Sequence, residues 1–304
     1  ADAVKFQTFK TERVMTRRAP KASYQLETTQ VSESQFDMAK GFELPMEAFG
    51  QLMAYCDKQG ILFLSSPFDD ESANLLAGLG VAAFKIPSGE ITNLPFLTRV
   101  ARFGKPMIVS TGMANMAEVD TAVRTIEEAG NRQFVLLQCV SNYPADPANI
   151  NLRAMHTMAA AFNVPVGYSD HTPGIEVPLA AVALGACVIE KHFTLDQSLP
   201  GPDHRASLEP QELGAMVRGI RTVESALGDG RKEPVLAEAN TAAVARKSLV
   251  AARDISANTV LTENLIAIKR PGTGLAPAMR ESLVGRSTKV DIPEDTLLTL
   301  KMLA

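Results

Sequence analysis

The sequence predicts an α/β protein: a TIM (β/α)8-type barrel with its first strand and helix missing, followed by a small C-terminal β-rich domain. Seven short, nearly continuous apolar runs alternate with amphipathic segments, a pattern typical of strands buried on both faces of a parallel sheet. Successive runs are mostly about 20–30 residues apart, the length of one βα unit. No Gly-x-Gly-x-x-Gly fingerprint follows any run, which favours the barrel over the alternative, an open doubly wound sheet.

The apolar runs give the order of the predicted strands. They cover residues 3–8, 61–65, 81–86, 106–110, 134–139, 164–169 and 187–192. A closed barrel of this type needs eight strands. The chain opens directly on a strand, so we expect the first strand and helix to precede Ala1. The amphipathic stretches 116–129, 152–162 and 210–227 are predicted helices, and the long interval after the first run is predicted to hold an extended loop and a helix.

A change of composition after Leu227 predicts three regions. Residues 1–228 form the barrel, residues 229–242 form a polar linker with glycine and proline, and residues 243–304 form a separate β-rich domain. In the last region the predicted strands are 248–251, 265–268 and 297–302. The chain has 304 residues, enough for a barrel of about 250 residues and such an appendage.

Charge and cysteine usage narrow the classes of partner and the compartment. The chain has 30 basic and 34 acidic residues without a block of like charge, which argues against nucleic acid and anionic membranes as partners. No apolar run reaches the roughly 18 residues that span a bilayer. Cys56, Cys139 and Cys187 are far apart in apolar stretches, which predicts buried thiols in a reducing, cytoplasmic compartment.

Two of the four histidines follow neighbouring predicted strands. His171 and His192 come at the carboxyl ends of the last two runs, where barrel enzymes place their active sites. Because adjacent strands lie about 4.8 Å apart, the two imidazoles can share one divalent ion, with water or substrate oxygens completing its shell. Glu190 precedes His192 by two residues and faces the same side, and Asp170 is adjacent to His171. The alternative is that each histidine is a hydrogen-bonded residue of the barrel mouth.

Two lysines interrupt apolar runs. Lys5 and Lys85 each lie inside a predicted strand, where an ammonium is costly unless its charge is matched. Either the side chains reach outward to solvent or they bind an anion at the barrel mouth. Hydroxyl groups at other strand ends favour the anion, which would be a phosphate or a carboxylate; they belong to Ser65, Ser66, Ser88, Ser110 and Thr111.

Two further interpretations concern single residues. A metal-free aldolase would use Lys85 or Lys191 as a Schiff base, but that chemistry has no use for the histidine pair. The segment Gly201-Pro202-Asp203-His204 follows the last strand, so Asp203 is a candidate for catalysis or ligand contact. A Gly-Pro turn there is also compatible with a purely structural loop.

As a set, these motifs resemble those of the sialic acid synthase family from end to end. The matching segments are Val4-Lys5-Phe6-Gln7-Thr8, Lys85-Ile86-Pro87-Ser88-Gly89-Glu90, Ser110-Thr111-Gly112-Met113, Ser141-Asn142-Tyr143-Pro144, Gly167-Tyr168-Ser169-Asp170-His171-Thr172, Glu190-Lys191-His192-Phe193 and Gly201-Pro202-Asp203-His204. Residues 245–249 and 269–272 resemble the family's antifreeze-like (SAF) domain.

The resemblance implies an activity: phosphoenolpyruvate condenses with the open-chain aldehyde of an N-acetylhexosamine, N-acetylmannosamine, to give N-acetylneuraminate and phosphate. It implies Mn²⁺ or Mg²⁺ held by His171 and His192. The implied catalytic residues are Glu90, Glu190, Asp203 and Lys85. The implied substrate-binding residues are Lys5, Gln7, Ser66, Ser88, Ser110, Ser141, Tyr143, Ser169 and Arg270.

The resemblance also implies a domain-swapped homodimer in which Arg270 reaches the partner's sugar N-acetyl group. One departure is that the family's first strand carries a catalytic-site glutamate that lies outside this chain. Within the family, the alternative is an N,N'-diacetyllegionaminate synthase, which uses a di-N-acetylated trideoxyhexose. From other classes, the alternatives are a Schiff-base aldolase and a non-catalytic binding protein.

Overall fold

The computed structural model describes residues 1–29 and 32–304. The chain divides into two compact units, Ala1–Gly228 and Asp229–Ala304. Within the described part of the chain, no helix is long and apolar enough to cross a membrane.

Parallel strands form the centre of the N-terminal unit. They are β1 (Ala3–Thr8), β2 (Leu62–Pro67), β3 (Phe84–Ile86), β4 (Met107–Ser110), β5 (Phe134–Cys139), β6 (Val166–Asp170) and β7 (Ile189–Lys191). β1 pairs with β2, and β3 to β7 pair in chain order, always in parallel. Each of these strands overlaps one of the seven predicted runs, so the parallel, barrel-type architecture is confirmed.

Helices follow the strands as a barrel requires. They are α1 (Thr11–Val14), α2 (Ser23–Thr28), α3 (Gln35–Phe42), α4 (Met46–Gln59), α5 (Asp70–Leu79), α6 (Leu94–Ala101), α7 (Met116–Glu128), α8 (Ala154–Phe162), α9 (Glu176–Ala183) and α10 (Pro210–Leu227). Their starts have a local cause: Asn115 caps α7 by accepting from the amides of Ala117 and Glu118. Between β1 and β2, the described residues form four helices, where the sequence predicted one helix and an extended loop.

Apolar side chains of the strands pack beneath the helices. Phe84, Ile86 and Met107 are fully buried, together with Leu76 of α5 and Leu97 of α6. Burying apolar surface contributes about 25 cal/mol per Å² to the free energy of folding, so this layer stabilises the unit. It also holds the strands in place. The strand ends, in turn, position the polar residues that follow them.

The C-terminal unit is built on a small antiparallel pair. It contains α11 (Ala239–Ala245), β8 (Ser248–Ala251), β9 (Ile266–Lys269) and α12 (Arg280–Leu283), and β8 pairs with β9. α11 begins inside the segment predicted as a linker. The strand predicted at 297–302 is wrong: Leu297 makes a single bridge to Val250, and a 3₁₀ turn follows at Leu300–Met302. That turn supplies the spacing that lets both Leu298 and Leu303 enter the unit's core.

Candidate functional site

A partly buried carboxylate lies between two lysines at the strand ends of the N-terminal unit. Glu190 of β7 lies 3.1 Å from Lys5 Nζ through Oε1 and 3.4 Å from Lys85 Nζ through Oε2. Burial would raise the pKa of Glu190, but the two ammonium groups lower it to about 2. The Glu190 carboxylate is therefore ionised at neutral pH, and both predicted lysines face into the barrel rather than outward to solvent.

Lys85 is the more enclosed of the two lysines. Its Nζ donates to Ser110 Oγ at 2.8 Å and to the Ile86 carbonyl at 3.0 Å, and the residue is 3% exposed. Burial lowers the pKa of Lys85, and Glu190 opposes that shift. A cation held this way, beside the Ser110 hydroxyl, is suited to binding one oxygen of an anion.

Hydroxyl and amide groups continue this pocket along β1 and β2. Gln7 pairs with Ser66 in register, and Gln7 is two residues beyond Lys5, so these side chains share one face of the sheet. Gln7 is exposed. Ser66 is 1% exposed, and its Oγ has no hydrogen-bond partner among the described residues. Buried hydroxyls normally have a hydrogen-bond partner, so the Ser66 hydroxyl is available to form a hydrogen bond with a ligand.

Gly112 allows two serines to converge near the β4 end. A Cβ at Gly112 would lie 2.6 Å from Ser88 Oγ and would also collide with Ser141 Oγ. The Gly112 amide donates to Ser88 Oγ at 3.0 Å. A glycine here lets Ser88, Ser141 and a backbone N–H reach the same small space.

The two predicted metal-binding histidines lie side by side. The ring centroids of His171 and His192 are 5.3 Å apart. His171 Nδ1 donates to the Val140 carbonyl at 2.7 Å, because a carbonyl only accepts, which leaves Nε2 as the nitrogen that can bind a metal. Burial lowers the pKa of His171, but hydrogen bonds to Cys139 and to the Val140 carbonyl outweigh burial and raise the pKa. Burial and the Lys5 charge lower the pKa of His192 to about 3, so that ring is neutral.

The chemistry of these donors fits a divalent cation. Each histidine has an imidazole nitrogen that can bind a metal in its neutral form, and His171 is oriented by a backbone carbonyl, as metal-binding histidines commonly are. Within residues 1–29 and 32–304, no group of three or more His, Cys, Asp or Glu side chains is arranged to hold a metal ion. A divalent cation held by His171 and His192 would take its remaining ligands from substrate and water oxygens.

Other predicted residues surround the histidines. Asp203 Oδ2 lies 3.8 Å from His192 Nδ1, and burial raises the pKa of Asp203. The Tyr143 ring lies 4.0 Å from the His171 ring and 5.5 Å from the His192 ring, measured between centroids. Ser169 Oγ lies 3.5 Å from Glu190 Oε1. The structure thus brings Asp203, Tyr143 and Ser169 together with the histidine pair and Glu190.

Glu90 and Arg270 lie on two other parts of the chain: Glu90 in a turn after β3, and Arg270 in the C-terminal unit. Glu90 ends a 3₁₀ turn directly after β3, and its Oε2 accepts from Asn93 Nδ2 at 2.7 Å. Burial raises the pKa of Glu90. Arg270 is an exposed residue of the C-terminal unit, directly after β9, and its predicted contact with a partner's sugar stays a prediction.

The sequence did not indicate Tyr24 or Cys139 as site residues. Tyr24, on α2, lies 5.1 Å from the Tyr143 ring between centroids, and burial near Asp203 raises its pKa to about 12. Cys139 is buried with Sγ 3.5 Å from Ser88 Oγ and 3.9 Å from His171 Nδ1. Cys139 ends β5, just as the predicted site residue Ser110 ends β4. Its position in the sequence could therefore have indicated Cys139 as a site residue. Cys187, predicted to be buried, is exposed.

Lys191 lies on the opposite side of β7 from the site. It is buried and bound to Asp170, so its ammonium is not presented to a carbonyl substrate. This placement argues against the Schiff-base interpretation for Lys191.

A barrel that gathers lysines, serines and an ionised carboxylate at the carboxyl ends of its strands is the architecture of an enzyme for a small anionic substrate. Comparison with known proteins identifies which such enzyme family this is. The NeuB family matches residues 1–232, and the SAF domain matches residues 246–304. The chain belongs to the NeuB family and ends in a SAF domain. The predicted class, a synthase that forms a carbon–carbon bond, is confirmed.

Individual relatives align with most of the chain. It is 47% identical over 300 residues to the N,N'-diacetyllegionaminic acid synthase of Campylobacter jejuni, covering 98% of this chain and 90% of that protein. The enzyme of the same name from Legionella pneumophila is 45% identical, with 98% and 85% covered. A solved N-acetylneuraminic acid synthetase from Leptospira borgpetersenii superposes with a TM-score of 0.69 at 36% identity, covering 79% of each chain.

Proposed function

We propose that the chain condenses phosphoenolpyruvate with a di-N-acetylated trideoxyhexose to give N,N'-diacetyllegionaminate and phosphate, with a divalent metal held by His171 and His192. The observation that carries this proposal is the histidine pair, 5.3 Å apart between ring centroids, beside the pocket of Lys5, Lys85 and Glu190.

Phosphoenolpyruvate fits the pocket because it carries two anionic groups. The Lys5 and Lys85 ammonium groups offset its charge, and the hydroxyls of Ser66, Ser88 and Ser110 donate to its oxygens. Lys85 and Ser110 are already bonded to each other, so little side-chain ordering remains to be done on binding.

The sugar belongs on the histidine side of the pocket. A bound Mn²⁺ or Mg²⁺ would polarise the aldehyde oxygen as a Lewis acid. The rings of Tyr143 and Tyr24 provide an apolar wall next to the histidines, suited to the C–H face and acetamido methyl groups of a sugar. Asp203, beside His192, is placed to accept a hydrogen bond from a sugar hydroxyl.

The reaction balances with water as the third reactant. The enol carbon of phosphoenolpyruvate bonds to the aldehyde carbon, whose oxygen takes up a proton. Water then adds to the cationic carbon, which still carries the phosphate-bearing oxygen, and releases a proton. The hydroxyl of the resulting tetrahedral intermediate gives up its proton and becomes the carbonyl as the C–O bond to phosphate breaks and phosphate leaves.

The two glutamates suit different parts of this sequence. The pKa of Glu190 is lowered to about 2, so it stays anionic at neutral pH and stabilises the cationic carbon by charge rather than by proton transfer. Burial raises the pKa of Glu90, which makes that carboxyl the better candidate for moving a proton near neutral pH.

Relatedness favours the legionaminate sugar over N-acetylmannosamine, the first expectation from sequence. The two legionaminic acid synthases are 47% and 45% identical to the chain, against 36% for the N-acetylneuraminic acid synthetase. A trideoxy sugar with two acetamido groups also presents more apolar surface to the tyrosine wall than N-acetylmannosamine does.

Phosphate release tests the proposal. The protein, including any residues that precede Ala1 in its natural form, is incubated with phosphoenolpyruvate, Mn²⁺ and one sugar: 2,4-diacetamido-2,4,6-trideoxymannose, N-acetylmannosamine or its 6-phosphate. We expect the highest kcat/KM with the diacetamido sugar and none in EDTA. A preference for N-acetylmannosamine would overturn the sugar assignment, and full turnover in EDTA would overturn the metal role.

A further inference from the structure

A buried ion pair lies directly behind the two histidines. Asp170 Oδ2 and Lys191 Nζ are 2.6 Å apart, and their side chains are 0% and 1% exposed. Asp170 immediately precedes His171, and Lys191 immediately precedes His192. The pair therefore joins the two positions from which the histidines project.

Strand alternation separates this pair from the substrate side. Ser169 is in register with Glu190, and Asp170 is in register with Lys191. Because successive side chains point to opposite faces, Ser169 and Glu190 face the barrel interior while Asp170 and Lys191 face away from it. Asp170 and Lys191 thus do not belong to the set of side chains that face the substrate.

The Asp170 carboxylate also holds the backbone on both sides of His171. Its Oδ1 accepts from the Thr172 amide at 2.9 Å, from Thr172 Oγ1 at 2.8 Å and from Tyr168 OH at 2.8 Å. Lys191 Nζ additionally donates to the Thr172 carbonyl. His171 therefore lies inside a turn that is closed by hydrogen bonds between Asp170 and Thr172. Lys191, the residue before His192, bonds to both ends of that turn.

Stability alone gives little reason for an ion pair at this place. Removing two charges from water is unfavourable, and hydrophobic replacements of buried pairs are often neutral or stabilising. What the pair adds is a fixed distance and direction between two backbones.

We infer that Asp170 and Lys191 are positioning residues that set the separation and orientation of the His171 and His192 rings. The inference rests on the proposed function, in which these rings bind one divalent cation. Residues that orient metal ligands typically change metal affinity about 10- to 100-fold when they are altered.

The test is the double variant Asp170→Asn with Lys191→Met. It removes both charges together, and the amide oxygen of the introduced asparagine can still accept from Thr172, so no buried charge is left unpaired. We expect a melting temperature close to that of the wild type and a Mn²⁺ Kd, measured by calorimetry, that is about 10-fold or more higher. A purely structural pair would give a Kd equal to that of the wild type, which would overturn the inference.

The ring resonances of the histidines in metal-free protein give a second readout that does not depend on metal binding. The chain has four histidines, so their NMR signals are few. We expect the His171 and His192 signals to shift in the double variant and the signal of His156, on α8, to stay. Unchanged His171 and His192 signals would overturn the inference, whether or not the wild type binds Mn²⁺. A wild type that binds no Mn²⁺ would instead count against the proposed function.

Two further variants keep the test decisive. If the double variant does not fold, Tyr168→Phe removes one hydrogen bond to Asp170 and leaves the ion pair; we expect a smaller rise in Kd, and an unchanged Kd would overturn the inference. Asp120→Asn breaks an exposed pair with Arg124 on α7 and serves as the matched control, with Kd unaffected.

Discussion

Lys5 Nζ lies 3.1 Å from Glu190 Oε1, which links β1 to β7. β1 belongs to the two-stranded sheet and β7 is the last strand of the five-stranded sheet, so this ion pair joins the two sheets across the barrel interior. The same contact places the anion pocket between the strand that carries Lys5 and the strand that leads to His192.

Lys85→Met tests the anion pocket. The change removes a buried cation and leaves the Glu190 carboxylate with Lys5 alone. We expect kcat/KM for phosphoenolpyruvate to fall about 100-fold or more, equivalent to roughly 3 kcal/mol of lost transition-state stabilisation. Steady-state kinetics measure this, with Lys58→Met on the exposed face of α4 as the control. A larger effect on the sugar KM than on the phosphoenolpyruvate KM would contradict the assignment.

Tyr24→Ala tests the sugar side. The Tyr24 ring lies 5.1 Å from the Tyr143 ring between centroids and is tilted by 30°, so its loss opens the wall beside the histidines. We expect the sugar KM to rise about 10-fold, which corresponds to the roughly 0.5–1.5 kcal/mol of an aromatic contact plus lost burial. The phosphoenolpyruvate KM should stay the same. Tyr55→Ala, at an exposed position on α4, should change neither value.

Glu43→Gln tests the pH dependence of folding. Burial would raise the pKa of Glu43, but hydrogen bonds from Lys10, Thr11 and Lys40 lower it to about 2. Because the unfolded value is about 4.3, the unfolded state takes up the proton first. The contribution of Glu43 is therefore fully present above that pH and is lost as the pH falls towards 2.

The variant should lose about 1–3 kcal/mol of unfolding free energy at pH 7, the usual cost of disrupting charged hydrogen bonds to a buried group. At pH 2 it should differ less from the wild type. Denaturant unfolding at both pH values measures this. An equal difference at both values would show that the pKa of Glu43 is not lowered in the folded state.

Arg270→Ala tests the predicted exchange of C-terminal domains. If Arg270 reaches a partner's sugar, as the resemblance implies, the sugar KM should rise and the phosphoenolpyruvate KM should not. Arg253→Ala, also exposed in the C-terminal unit, is the control. A sugar KM unchanged in kinetic assays would argue against the domain-swapped homodimer.

Sequence alone located the strands and most of the pocket because both follow from burial. A lysine inside an apolar run, such as Lys85, is costly enough to indicate a partner, and strand ends converge in any parallel sheet. The pairing of His171 with His192 followed from the same rule. These features depend on the local pattern plus one topological assumption.

Other features depend on tertiary contacts that no local pattern encodes. Tyr24 lies in a helical connection whose path is set by packing, so nothing in its neighbours indicated that it reaches Tyr143. Leu297 lies in an apolar run that ends in a 3₁₀ turn because the core takes only alternate leucines from it. Lys191 was a Schiff-base candidate, although its alternation with Glu190 and His192 already placed it on the outer face.

The proposed reaction depends on one divalent cation held by His171 and His192. Calorimetric titration of Mn²⁺ into the wild type, His192→Ala and His156→Ala, paired with phosphate release and circular dichroism, tests it most directly. We expect one site per chain in the wild type and in His156→Ala, and loss of both binding and turnover in a folded His192→Ala. A folded His192→Ala that binds Mn²⁺ and releases phosphate like the wild type would contradict the account.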